Sequence, residues 1–66
     1  MYHIQITLKA ARVNAGLTVV NAARKIGIGK DRLLKWERNP ELVPPIFQSA
    51  ISTAYNIPID CINFLP

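Results

Sequence analysis

Residues 27–39 read "GIGKDRLLKWERN", with Gly27, Gly29 and Lys30 directly ahead of a charged and apolar run. Residues of these types support two kinds of chemistry. A glycine-rich loop can surround a phosphate with backbone N–H groups while a lysine neutralises it, or a tight glycine turn can begin a helix that lies on a nucleic acid. The nucleotide-hydrolysing form needs GxxxxGK[ST], but here one residue separates the glycines and Lys30 is followed by Asp31. The GxGxxG form fails at Arg32, and no strand-helix-strand unit can be drawn around it. Catalytic groupings are equally absent. His3 has no companion at ligand or catalytic spacing, Ser49 and Ser52 fall in a helical pattern with no histidine close in sequence, and Asp31 and Glu37 are not a poised carboxylate pair. Cys61 is the single cysteine, which leaves no internal disulfide and no cysteine-based metal site. No enzymatic activity, metal, cofactor or small-molecule substrate is expected.

What remains is charge and its placement. A chain of 66 residues makes one domain, here residues 1–66. A domain of that size buries only roughly 60% of its unfolded surface and has little room for a deep pocket. Half of the residues are hydrophobic, so a folded unit is expected in preference to a basic disordered tail. All eight Lys and Arg residues fall between positions 9 and 38, which are net +6 with Asp31 and Glu37, whereas residues 39–66 are net −2 through Glu41 and Asp60. Such an excess either faces a polyanion or keeps a small domain soluble, and charge alone supports both readings. No stretch reaches the roughly 18 apolar residues of a membrane span, and the N-terminus lacks a signal pattern. A cytoplasmic protein without a membrane partner is expected.

The elements that must position these charges are short helices. "MYHIQI", residues 1–6, alternates loosely and reads as an N-terminal arm or a short strand. Thr7 suits a helix cap, and Leu8, Ala11 and Ala15 share a face until Gly16, which predicts a first helix at about 8–15. Thr18 caps a second helix whose inner face is Val19, Ala22, Ala23 and Ile26 before Gly27. Small side chains at 22 and 23 allow a neighbouring helix to come close. The third helix, 30–38, turns Leu33 and Trp36 inward. Asn39 is expected as a left-handed cap, and Pro40 ends the helix. "PELVPP" reads as a loop with Leu42 or Val43 folded onto the core. Pro44 and Pro45 open a fourth helix carrying Ile46 or Phe47, Ala50, Ile51 and Ala54 and ending near Asn56. The tail, residues 59–64, is expected as a short fifth helical turn, with Ile59, Ile62 and Phe64 over the core.

Helices two and three, joined at "GIG" with Ile28 as an apolar plug, make a helix-turn-helix pattern that needs the other helices as walls. Helix three separates its duties by angle. Leu33, Trp36 and Glu37 turn one way; Asp31, Lys35 and Arg38 turn the other, with Lys30 and Arg32 on the flanks and Leu34 near the boundary. Against a major groove, Lys30, Asp31 and Lys35 are the base-facing residues, while Arg32 and Arg38 suit phosphates. Thr18, Arg24 and Lys25, at the edges of helix two, are further phosphate-facing residues. Glu37, directed inward, needs a partner; Arg12 on helix one either bridges to it or both are ordinary exposed charges.

These residues resemble a known family. "R-x-x-x-G-L-T" from Arg12 to Thr18, Ala23, "IGIG" at 26–29 and "LLKWERN" at 33–39 are similar to the Cro-type, lambda repressor-like helix-turn-helix proteins, also called the XRE family. The resemblance covers about residues 7–57. It implies an all-α, compact five-helix bundle whose third helix reads double-stranded DNA. It also implies a prokaryotic or phage transcription regulator, most simply a repressor, acting as a homodimer on two-fold operators. The family's buried Arg–Glu pair falls on Arg12 and Glu37, its small helix-two residue on Ala23, its turn glycine on Gly27, and its core on Ile28, Leu33 and Trp36; Leu8 and Ile26 complete the expected core. The chain departs from the family at Val19, where glutamine is frequent, and at Gly29, where Ser or Thr is usual. It departs again at the acidic Asp31 and at Asn39, which replaces a glycine. The missing glutamine at position 19 and the acidic Asp31, with the apolar segment "YNIPIDCINFLP" at 55–66, motivate an alternative: a helix-turn-helix-like protein-interaction or assembly module. The same apolar segment either forms a dimer interface or completes the core.

Overall fold

Each helix of the protein begins and ends where its local chemistry directs. In the computed structural model, which describes residues 4–65, the first helix, α1 (Leu8–Asn14), starts at Thr7. The Thr7 hydroxyl accepts the Ala10 N–H at 3.0 Å. It stops at Gly16, whose φ of 73° suits a residue without a Cβ. Helix α2 (Val19–Ile26) is capped in the same way by Thr18, which accepts from the Asn21 N–H at 3.1 Å. Its far end turns through Gly27 at φ 93°, where the amides of Gly27 and Ile28 converge on the Ala23 carbonyl at 2.8 and 3.0 Å. That left-handed step redirects the chain into α3 (Lys30–Arg38).

The end of α3 corrects one expectation. Asn39 has φ −133° and ψ 74°, not a left-handed conformation. The physical reason is Pro40, whose ring pushes the preceding residue toward extended backbone. Asn39 still satisfies the helix end, its backbone N–H donating to the Lys35 carbonyl at 2.9 Å and its side-chain amide reaching the same oxygen at 3.5 Å. A 3₁₀ turn, Pro40–Leu42, follows. Helix α4 (Pro45–Tyr55) opens on the two prolines, and the Phe47 and Gln48 amides donate to the Pro44 carbonyl. It ends at Asn56, which is left-handed at φ 52°. Here Ile57 N–H donates to the Ser52 carbonyl at 3.1 Å and the Ser52 hydroxyl donates to the Ile57 carbonyl at 2.6 Å, locking the turn from both sides.

The tail departs from a purely helical reading. A single 3₁₀ turn, Ile59–Cys61, is followed by a two-residue strand, β2 (Ile62–Asn63). It pairs in parallel with β1 (Ile6–Thr7), Ile6 opposite Ile62 and Thr7 opposite Asn63. The Gln5 side-chain amide adds a bond to the Asp60 carbonyl at 3.2 Å. Residues 6–7 and 62–63 are thus tied together beside α1, a non-local pairing that no short sequence window displays. The strand reading of residues 1–6 is met at Ile6; Tyr2 and His3 lie outside the described residues.

The core lies where α2 packs against both α3 and α4, with α1 closing it beside α3. Leu8, Leu33 and Ile51 are its fully buried large residues, and Ala11, Ala22, Ala23, Ile26, Trp36, Val43, Tyr55 and Ile62 surround them. Ile28 is half-buried against this cluster. Both open choices in the linker and α4 are settled by packing. Val43 is buried while Leu42 is exposed, and Phe47 lies against Trp36 with ring centroids 5.3 Å apart and planes inclined at 54°, leaving Ile46 in solvent. The result is a compact all-α domain with four α-helices, whose only strands among the described residues are those two-residue segments.

Candidate functional site

The turn at residues 27–29 and the packing of Leu33 and Trp36 decide which way α3 faces. With those two side chains buried, successive residues rotated by about 100° place Asp31 and Arg38 opposite the core. Leu34 and Lys35 lie on either side of them. Lys30, Asp31, Arg32, Lys35 and Arg38 are all exposed, with Asp31, Lys35 and Arg38 on the outward side of the helix and Lys30 and Arg32 on its opposite flanks. Arg24 and Lys25 are exposed in the last turn of α2, where cations also complement the negative end of the helix dipole. Thr18 is exposed; its oxygen accepts the cap bond from Asn21, and its O–H remains able to donate to an outside acceptor.

Asp31 has a local explanation. Gly29 provides no side-chain acceptor at the start of α3, and Asp31 stands in the first turn, where a carboxylate meets the positive end of the helix dipole. It therefore offsets the missing cap electrostatically. Gly29 itself has φ −77°, an ordinary value, and a Cβ built there would meet no atom within 4 Å. Nothing inside the fold requires glycine at position 29, in contrast to Gly27.

Arg12 and Glu37 are brought together beneath the basic surface. Arg12 Nε donates to Glu37 Oε2 at 2.7 Å and Nη2 reaches Oε1 at 3.5 Å, while Nη1 donates to the Leu17 carbonyl at 3.0 Å. Their side chains are 10% and 6% exposed. The pair ties α1, the turn before α2 and α3 into one frame and holds the outward face of α3 in position. It is the one ion pair among the described residues, so the cations of α2 and α3 have no carboxylate partner there.

A residue not singled out from sequence completes this buried polar spot. Tyr55, at the end of α4, is buried, and its hydroxyl has no hydrogen-bond partner among the described residues. Its pKa is pushed up to about 12, chiefly by burial, with the Glu37 carboxylate adding to the rise and the Arg12 guanidinium opposing it. The available signal was spacing, since position 55 lies one helical turn after Ile51 on the inner face of α4.

Two shallow grooves flank α3. One, of about 350 Å³, is lined by Val20, Ala23, Arg24, Ile28 and Lys30, an apolar floor with two cations at its rim. The other, of about 340 Å³, lies between α1 and α3 and is lined by Lys9, Leu34, Glu37 and Arg38. Among the described residues no group of three His, Cys, Asp or Glu side chains is placed to hold a metal, and no helix is long and apolar enough to cross a membrane. Comparison with protein-family models, curated proteins and solved structures gave no match, so the functional reading rests on geometry and residue chemistry.

Proposed function

We propose that this chain is a sequence-specific double-stranded DNA-binding regulator of the lambda repressor-like helix-turn-helix kind, in which α2 and α3 form the motif and α3 enters the major groove. The single observation that carries the reading is the outward face of α3. Four cations and one carboxylate stand exposed on a helix fixed from behind by a buried ion pair, and none of the cations has a carboxylate partner among the described residues. Such a surface meets a phosphate backbone with favourable charge and base edges with donors. Lys30, Asp31 and Lys35 face bases; Arg32 and Arg38, with Arg24, Lys25 and Thr18 beside them, face phosphates. Asp31 accepts from a cytosine amino group or orients a neighbouring lysine. Repression by occupying a promoter requires no further chemistry. A single module makes few base contacts, so the working form is a homodimer on two half-sites.

The test is selection of duplexes from a random DNA pool, followed by binding across a range of salt concentrations. Enrichment of a common site and steep weakening with salt are expected. Lys35→Ala is expected to change sequence preference at one position at a cost of about 1–3 kcal/mol, whereas Arg38→Ala weakens all sequences alike and reduces the salt slope by about one. Failure of the folded protein to enrich any duplex would sink the proposal and favour a protein-interaction or assembly module.

A further inference from the structure

We infer that Leu34 is a specificity-determining residue that takes the C5 methyl group of a thymine. The inference rests on the DNA-binding reading above and names what one part of that surface recognises.

Leu34 is 40% exposed although Leu33 beside it is fully buried. Its neighbours one turn away on α3 are Lys30 and Arg38, with Asp31 three residues before it, so an apolar side chain stands within the charged outward face. The other exposed large apolar residues among the described ones, Ile4, Val13, Val20, Leu42, Ile46 and Leu65, all lie off α3. Leu34 also lines the groove shared with Lys9, Glu37 and Arg38. The methylene stems of Lys9 and Arg38 can form apolar walls while their charged ends reach outward. A group entering beside Leu34 therefore meets hydrocarbon at the floor and cations at the rim.

The major groove presents the complementary arrangement. Thymine is the base that carries a methyl group on its major-groove edge, and the flanking phosphates are anionic. An apolar protein surface fits less well, because covering Leu34 would also bury Lys30, Asp31 and Arg38 without partners, and unpaired buried charge is costly. Lys30 and Lys35 donate to base acceptors, and Leu34 adds a reading that hydrogen bonds cannot supply.

Once wild-type protein has enriched a duplex, each thymine in it is replaced singly by deoxyuridine, which removes only the methyl group. Binding is then compared for the wild type, Leu34→Ala and Leu34→Met at one salt concentration, with thermal melting to verify folding. At one thymine per half-site the wild type is expected to lose about fourfold in affinity, the worth of one buried methyl. Leu34→Met keeps that sensitivity; Leu34→Ala binds the thymine duplex correspondingly less well and is indifferent to the replacement. Equal losses in wild type and Leu34→Ala, or no methyl-sensitive thymine, overturn the inference while leaving the DNA-binding reading intact. Absence of any enriched duplex removes both.

Discussion

Helices α3 and α4 do the same work on one side and opposite work on the other. Both pack against α2, and their aromatic residues Trp36 and Phe47 meet in the core. Yet α3, "KDRLLKWER", carries six charged residues, and α4, "PIFQSAISTAY", carries none. The outer face of α4 leaves Ile46 in solvent, so exposed charge is concentrated on α3 and absent from α4. Inside the core the contrast reverses. Helix α3 contributes a buried carboxylate that is engaged by Arg12, and α4 contributes the Tyr55 hydroxyl, which has no hydrogen-bond partner among the described residues.

The largest effect should come from breaking the engaged group. Glu37→Ala leaves the Arg12 guanidinium buried without its counter-charge, and a loss of about 3–5 kcal/mol in urea unfolding is expected, enough to unfold much of the population of so small a domain. Replacing Arg12 and Glu37 together by apolar residues should recover most of it. A cost near zero for Glu37→Ala would mean that the pair does not frame α3.

Tyr55 should show the opposite response. The folded state keeps the phenol proton up to about pH 12, whereas the unfolded chain loses it near the ordinary pKa of 10. Stability from this group is therefore complete below pH 10 and falls as pH rises through 12, by about 2–3 kcal/mol in all. Tyr55→Phe removes an unpartnered hydroxyl, so it should be neutral or stabilising at pH 7 and should flatten the alkaline loss. Denaturation midpoints of both proteins between pH 9 and 12 measure this, and parallel curves would show that Tyr55 is not the titrating group.

The approach to α3 offers the smallest and most local test. Gly27→Ala forces a Cβ into a left-handed position and should cost about 1–2 kcal/mol. Gly29→Ser, two residues on, adds a cap acceptor at an ordinary φ with open space around the Cβ, and should gain a few tenths of a kcal/mol. If Gly29→Ser also weakens binding to an enriched duplex, the bare glycine serves close approach of DNA to the start of α3.

The helix limits were legible because they depend on neighbours in sequence: a threonine hydroxyl finds an amide three residues on, a glycine accepts positive φ, and a proline ends or opens a turn. The inward set of α3 followed from the same periodicity. Asn39 shows the limit of such reasoning, since its left-handed tendency yields to the ring of Pro40, while Asn56, free of a following proline, adopts that conformation.

Sequence by itself therefore determined the limits of α1 to α4, the threonine caps of α1 and α2 and the charged character of α3, all set by interactions within about one helical turn. Only the tertiary structure decided between Val43 and Leu42 and between Phe47 and Ile46, turned Ile62 and Asn63 into a strand beside Ile6 and Thr7, and buried Tyr55 within electrostatic reach of Arg12 and Glu37. Each of those outcomes depends on groups distant in the chain competing for the same small volume, and adjacent residues with equal hydrophobicity carry no record of which one wins.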